Sequence, residues 1–526
     1  MRSFIKKELP FLLLGIAIVS YSVYFSFFTI LRSEKMYAHY FDLGIMDQTV
    51  HNTYKSLQTG DFSRFLELTN PHDGDNQVKR MAIHNDVFLA VLAPFYFIHD
   101  GPETLLVVQS LGVAFGAIFI FLITEKVLSF YNKPEPKSKK KYIDYAGWLG
   151  LAFGISYLLY PPLQSANVYE FHAATLAPTL LLGMYHFWMR KYYGWSFVFA
   201  LLAILTKEQV GLVTGFFAIY VILNDFILFF NSFENLRSKK KLRQLQHDVW
   251  LKVKRIDAEL WFALLLGFFS ITWVVISMKF IIPGFRGGEH FGADYYSYIG
   301  KNPLQVFPVI FRAETFSYLN ELFSPLWYVS ILSPAHLAIA IPEFAVVILS
   351  NNDNMRNTYF HYQTVLAAFI FLAAIYGVKN QEWLSKRFKT QPVHPIMIML
   401  VILIPAIMAS FNSNPLPWAK EFDSFPWKEM PAMVDDMHYW REFLANDDIK
   451  VSTTGHLAPH FTGRRYFYDF SWKYTNADYV LIDTHEVQYG YLKDQTIPAY
   501  AQLKSDKRYV KIYNTNGLEV YKRVIK

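Results

Sequence analysis

Residues 103–141 read ETLLVVQSLGVAFGAIFIFLITEKVLSFYNKPEPKSKKK, an apolar run followed directly by a lysine-dense segment. A membrane-spanning helix needs about 20 predominantly apolar residues, and lysine-rich loops beside such helices stay on the cytoplasmic side. The pattern recurs along the chain. The basic cluster at 133–141 (KPEPKSKKK) is matched by 237–255 (RSKKKLRQLQHDVWLKVKR) and 379–389 (KNQEWLSKRFK), each set between apolar stretches. With all three inside, the remaining long polar segments, which hold the conspicuous acids and histidines, fall outside. An α-helical polytopic membrane protein with outward-facing chemistry is expected.

Working outward from that segment, spans are expected near 10–31, 103–130, 145–162, 173–190, 194–206, 209–231, 258–282, 315–333, 335–350, 361–378 and 394–411, eleven in all. Proline and serine in SPLWYVSILSP, at the end of the 315–333 stretch, are also what a broken or re-entrant segment requires. Counted from a cytoplasmic N-terminus, these spans put every basic cluster inside. The apolar run after MRSFIKKELP extends to Leu31 with no small-residue cleavage site behind it, which predicts an uncleaved first span. Composition agrees, since 53% of the 526 residues are hydrophobic, 18% aromatic and only 18% charged. The formal charge of +7 resides largely in the basic clusters, where anionic lipid attracts it, and implies no nucleic-acid partner. The chain has no cysteine, which excludes disulfides and thiolate metal sites.

Three segments are left outside. The first, 32–102, opens with HYFDLGIMDQTVHNTY, has a turn-rich middle (TNPHDGDNQVKR), and ends in HNDVFLAVLAPFYFIHD, which reads as a helix lying in the interface. The second is 283–314, rich in glycine and tyrosine (GFRGGEHFGADYYSYIG). In the third, after about residue 412, VSTTG, RYFYDF, DYVLID and RYVKIY…LEVYKRV alternate with helical WREFLAND and AYAQLKSD, and NTNG closes a hairpin. The division expected is a membrane body, 1–411, and a small external α/β domain, 412–526.

The residues that could carry chemistry cluster at the external rims. Asp42 and Asp47 follow the first span, where a carboxylate can act as general base or hold a divalent metal; a helix cap and a solvated face are their plain alternatives. Five residues apart on a helix of about 3.6 residues per turn, they diverge by about 140° and would not share one site. His84 and Asp86 form an H-x-D pair that in an extended segment faces one way, towards a metal or a phosphate, unless Asp86 caps the following helix. Two ligands without a third define no metal set, although a divalent metal stays possible. Glu170 and His172 repeat the arrangement in a short turn between spans. Thr206, Lys207 and Glu208 occupy a tight hairpin, where charge near hydrocarbon points to function. Lys207 suits a lipid phosphate there, and mutual neutralisation with Glu208 is the alternative. Arg356 and His361, at the mouth of a later span, would complement a phosphate or sugar, with snorkelling as the plain explanation for the arginine. No Walker loop, G-x-S-x-G elbow, H-E-x-x-H or Rossmann fingerprint is present.

FDLGIMDQ, HNDVFLAVLAPFY, LLYPPLQSANVYEFHAAT, LTKEQVGLV, FHYQTVLAAFIF, GHLAPHFTGRRYFYDF and ADYVLID, taken in order, resemble a family of uncharacterised prokaryotic predicted membrane proteins grouped with the GT-C glycosyltransferases. The resemblance covers nearly the whole chain. It implies a GT-C-like body of about eleven transmembrane helices in a prokaryotic plasma membrane, a small extracytoplasmic α/β domain, and an outer-leaflet cavity that takes a polyprenyl-phosphate-linked sugar. The acid that such enzymes carry after the first span maps onto Asp42, with Asp47 as the competing match. Members with paired acids differ from FDLG, which offers one carboxylate and leans towards a metal-independent scheme. By this reading Asp42 is the base, Lys207 and Arg356 meet the leaving phosphate, and His84, Asp86, Glu170, His172, Glu208 and His361 line the cavity. The acceptor would be a glycan, lipid or protein. A lipid-linked glycan flippase or other transporter and a non-catalytic envelope scaffold are the alternative functions. Mid-span charge, which a transporter path needs, is scarce.

Overall fold

Helix Arg2–Glu34 carries the chain through its first apolar run and delivers it to the segment that bears Asp42. In a computed structural model the protein is described over residues 2–71, 76–132, 144–231, 257–413 and 415–524. Among the described residues, four helical stretches are long and apolar enough to cross a membrane: Glu8–Glu34, Pro102–Val127, Ala258–Arg286 and Thr364–Arg387. The shorter apolar helices Tyr145–Leu158, Tyr193–Thr206, Val210–Asn224 and Pro395–Phe411 run in the same regions of sequence as expected spans. The expected span 145–162 is interrupted at Leu159–Tyr160, before helix Pro161–Tyr169, and two others break into short pieces. The 315–333 stretch divides into Ala313–Phe323 and two 3-10 turns, and 335–350 into Pro334–Ala338 and Ile341–Ile348. Pro325, Pro334 and Pro342 remove backbone donors, and Trp327 and Tyr328 take left-handed φ values of 51° and 58°. This broken segment lies against helix Thr364–Arg387. There a Cβ on Gly377 would stand 2.3 Å from the Val329 carbonyl, and Ser330 Oγ donates to the Ile370 carbonyl at 2.9 Å.

The helical body packs around one large apolar core that includes Phe25, Phe121, Phe153, Tyr185, Phe217 and Phe371. Small residues set its closest approaches, as expected where lipid supplies no hydrophobic drive between helices. A Cβ on Gly116, for example, would collide with the Tyr157 hydroxyl at 2.3 Å. Of the three basic clusters, 133–141 and 237–255 lie outside the described residues, while most of 379–389 continues helix Thr364–Arg387 instead of forming a loop.

Segment 32–102 holds helix Ile45–Thr59, the antiparallel pair β1 (Glu67–Thr69) and β2 (Gln77–Lys79), and a short helix Phe88–Leu92 that runs into a 3-10 turn at Ala93–Phe97. The C-terminal stretch builds a five-stranded sheet from β3 (Val451–Thr453), β4 (Phe467–Asp469), β5 (Tyr479–Asp483), β6 (Tyr509–Thr515) and β7 (Leu518–Arg523). Their order is β4-β3-β5-β7-β6; the first three are parallel and the rest antiparallel. Asn516 and Gly517, at φ 52° and 87°, form the two-residue turn between β6 and β7 that right-twisted strands favour. One face of this sheet shares a core with segment 32–102, through residues such as Tyr40, Leu68, Tyr96, Trp440, Phe461 and Val520.

Candidate functional site

The chain leaves its first helix and makes a five-residue π-turn, Tyr40–Gly44, with Asp42 at its centre. Extra-residue turns of this kind concentrate at functional sites. Glu170 holds the turn from beneath: its Oε1 accepts the His39 N–H at 3.0 Å and its Oε2 the Leu43 N–H at 2.7 Å. The neighbours of Glu170 hold the aspartate itself. Tyr169 Oη donates to Asp42 Oδ2 at 2.6 Å, and His172 Nε2 lies 3.0 Å from Oδ1. Burial pushes the Asp42 carboxyl up, but the hydrogen bonds from His172 and Tyr169 outweigh it and leave it below the usual carboxylate range. Asp42 is therefore ionised at neutral pH. Glu170, fully buried beside Asp42, is pushed well above its ordinary value by that burial.

Asp42 lines a cavity of about 650 Å³, within the range of small-molecule sites, together with Arg80, His84, Asp86, His172, Lys207, Glu208, Arg286, His290, His361 and Tyr362. The His172 ring stacks on His361 with centroids 3.7 Å apart, and the next residue, Tyr362, places its ring 5.5 Å beneath the Lys207 ammonium. A continuous chain of contacts thus links Asp42 to Lys207 through His172, His361 and Tyr362. Lys207 forms no ion pair among the described residues, because Glu208 turns away from it. Glu208 instead meets His84 Nδ1 at 2.9 Å and His290 Nε2 at 3.4 Å, and accepts the Asn85 N–H at 3.0 Å. Burial pushes the Glu208 carboxyl up, but the charge of His84 and the hydrogen bonds of both histidines hold it well below its usual value. With the two imidazole nitrogens 3.4 Å apart, His84, Glu208 and His290 form a triangle that could hold a metal ion.

The expected residues divide accordingly. Asp42, His84, Asp86, His172, Lys207, Glu208 and His361 all line the cavity, although Asp86 is committed to Arg80, whose buried guanidinium grips it at 2.8 to 3.1 Å. His84 and Asp86 therefore do not act on one ligand as an extended H-x-D pair would. Glu170 sits under the turn instead of lining the cavity. Asp47 faces the other way: it is fully buried, accepting Tyr96 Oη and Thr462 Oγ1 at 2.7 Å each, on the side that meets the C-terminal sheet. The helical divergence between positions 42 and 47 separates them. Arg356 is also off the cavity, because it caps the C-terminus of helix Ile341–Ile348 by donating to the Ile348 and Ser350 carbonyls at 3.1 and 2.6 Å. Sequence reasoning missed Arg80, Arg286 and His290. The EHF segment that holds His290 was noted only as part of a glycine- and tyrosine-rich loop, and nothing local marks it as the third partner of His84 and Glu208.

A family model described as "Predicted membrane protein (DUF2079)" matches residues 32–520. Among solved structures, ArnT from Cupriavidus metallidurans bound to undecaprenyl phosphate is similar over 97% of this chain and 98% of its own, with TM-score 0.52 and 11% identity. ArnT in the apo state matches over the same shares, with TM-score 0.48 and 11% identity. No curated protein matches the chain.

Proposed function

The chain belongs to the DUF2079 family of predicted membrane proteins and has the GT-C membrane fold of ArnT, and from its site we propose that it is an inverting glycosyltransferase. Its donor is a sugar linked to a polyprenyl phosphate, drawn from the outer leaflet. The observation that carries this reading is one cavity lined both by an ionised carboxylate, Asp42, and by an ammonium, Lys207, that forms no ion pair among the described residues. The undecaprenyl phosphate bound by ArnT supports the lipid class of the ligand.

In the proposed reaction Asp42 takes the proton of an acceptor hydroxyl as its oxygen bonds to the anomeric carbon. The bond from that carbon to the phosphate oxygen breaks with inversion, and the electron pair leaves on the polyprenyl phosphate. The phosphate gains a negative charge as it leaves, and Lys207, fixed over Tyr362, is aimed at that charge. Tyr169 and His172 hold Asp42 ionised and oriented. His84, Glu208 and His290 would hold a divalent cation if one is used, at the end of the cavity that Lys207 shares. Residues 412–526 act as the extracytoplasmic domain that presents the acceptor, with the N-terminus on the cytoplasmic side.

The test is release of free polyprenyl phosphate from a panel of labelled polyprenyl-phosphate sugars in acceptor-containing membrane extract, by wild type and Asp42→Asn. Release by wild type with a loss of at least about a hundredfold in the variant, within the usual range for general-base removal, is expected. Equal release by a folded Asp42→Asn protein would overturn the role of Asp42. Lipid movement without release would favour a flippase.

A further inference from the structure

We propose that His39, His456 and Glu486 form a binding site for a divalent transition-metal ion of the zinc class, tying the C-terminal sheet to the turn that carries Asp42. The three residues lie outside the cavity described above and come from distant parts of the chain. His39 precedes the π-turn, His456 follows β3, and Glu486 lies in the first turn of helix Thr484–Tyr489 after β5. Their ligating atoms all lie within 4.8 Å of one another. His39 Nε2 is 3.9 Å from Glu486 Oε1, and His456 Nδ1 is 4.0 Å from Oε2.

The backbone is built to bring these groups together. The Tyr40 N–H donates to the Gly455 carbonyl at 3.1 Å, docking the turn on the loop beside His456. A Cβ on Gly455 would lie 2.0 Å from His39 Nε2, so only glycine admits the imidazole. The carboxylate is oriented in advance, because Glu486 Oε2 accepts the His456 backbone N–H at 2.9 Å, a supporting contact of the kind that fixes metal ligands. Bonds of about 2.0–2.2 Å in a tetrahedral site set ligand atoms roughly 3.3–3.5 Å apart, so the imidazoles must swing inward by roughly 0.5–1.5 Å. Both rings are half-buried with an open side. His39 Nδ1 accepts the Phe41 N–H at a long 3.4 Å; metal on Nε2 moves the ring proton to Nδ1, and that weak contact gives way.

The charge balance points the same way. Glu486 is buried, and among the described residues its only ion-pair partners are these two histidines. No lysine or arginine pairs with Glu486 among the described residues, and a divalent cation would supply the missing positive charge. Two imidazoles and one carboxylate suit zinc far better than the hard oxygen-loving cations, and the open side leaves a fourth position to water.

The test uses the purified full-length protein in detergent, stripped with EDTA and then titrated with zinc by calorimetry and with cobalt by visible absorption. Wild type, His456→Ala/Glu486→Gln and His84→Ala/His290→Ala are compared, the last removing the second candidate triangle. The expected result is one zinc equivalent lost or weakened at least tenfold in the first variant and kept in the second. Zinc should also slow hydrogen exchange in residues 38–44 and 453–458 of the wild type but not of His456→Ala/Glu486→Gln. Should that protein fail to fold, Glu486→Gln alone, which keeps an acceptor for the His456 N–H, and Gly455→Ala, which displaces His39 without touching a ligand, give the same reading. No zinc binding by wild type, or binding lost only with His84 and His290, would overturn the proposal.

Discussion

Replacing Glu170 by glutamine removes one of the two acceptors on which the Asp42 turn rests. The Glu170 carboxyl group accepts the His39 N–H through one oxygen and the Leu43 N–H through the other, at 3.0 and 2.7 Å. A glutamine offers one oxygen, and its NH2 must then face a backbone N–H, donor against donor. Leaving a buried donor unsatisfied costs about 1–3 kcal/mol, which makes opening of the turn roughly 5- to 150-fold more frequent. The effect should stay local. Gln109 holds the supporting segment independently, donating to the Asn167 and Glu170 carbonyls at 3.1 and 2.8 Å and accepting the His172 N–H at 2.8 Å. Hydrogen exchange read by mass spectrometry should therefore accelerate in residues 39–44 and remain unchanged in 167–172. Transferase activity should fall by the same factor, because Asp42 loses its fixed relation to Tyr169 and His172. Wild-type exchange in residues 39–44 of Glu170→Gln would refute the reasoning, whatever happens to activity.

Three further outcomes are expected. Lys207→Met should lower donor turnover by about 10²–10³ while Lys207→Arg retains part of it, measured as polyprenyl-phosphate release. Asp86→Asn leaves Arg80 buried opposite a neutral group, a loss of about 3–5 kcal/mol for breaking a buried pair, visible as a lower unfolding midpoint in detergent. Asp47 is pushed by burial from 3.8 to about 6, so the folded state holds its proton more tightly than the unfolded state. The stability this confers is complete below about pH 4 and lost as pH rises through about 6. Asp47→Asn should flatten that decline in midpoints recorded from pH 4 to 7.5 without abolishing transfer.

Local signals carried the sequence reading a long way in some regions and failed in others for definable reasons. The strands of the C-terminal sheet were legible because alternation and turn chemistry are local: VSTTG, RYFYDF, DYVLID and the NTNG hairpin each fall on strands or their turn. Spans were legible only where apolar length was uninterrupted. Hydropathy alone does not separate a helix from the sequence of short turns that Pro325, Pro334 and Pro342 impose. Among candidate site residues, rim placement singles out Asp42, Lys207 and Glu208, whose neighbours in sequence set them beside spans and which line one cavity. Arg356 lies off the cavity because the Asp353 carboxylate and the Ile348 and Ser350 carbonyls hold it at the end of the preceding helix, and a carbonyl leaves no mark in a sequence. His290 was passed over for the opposite reason: its partners are 206 and 82 positions away, at His84 and Glu208, and only the fold brings them together.

The distribution of charge in the cavity explains why these residues are arranged as they are. Three carboxylates and three permanent cations line it: Asp42, Asp86 and Glu208 against Arg80, Lys207 and Arg286. Complete pairing would leave an inert polar wall. Instead Asp86 is consumed by Arg80, and Glu208 by His84 and His290, so neither quenches Lys207. Arg286 contacts the Ala82 carbonyl and the Phe291 ring, which leave its charge intact. Asp42, for its part, has no lysine or arginine partner among the described residues and is held by Tyr169 and His172. The cavity therefore keeps one carboxylate and two cations available while its formal charges still cancel. That imbalance by position, not by total, is what the proposed transfer needs, since it removes a proton from one group and leaves a phosphate with extra negative charge. It also accounts for the buried position of Glu208. Were Glu208 rotated onto Lys207, the cation would be neutralised, and the two histidines that hold it away are what keep Lys207 free to meet an anion.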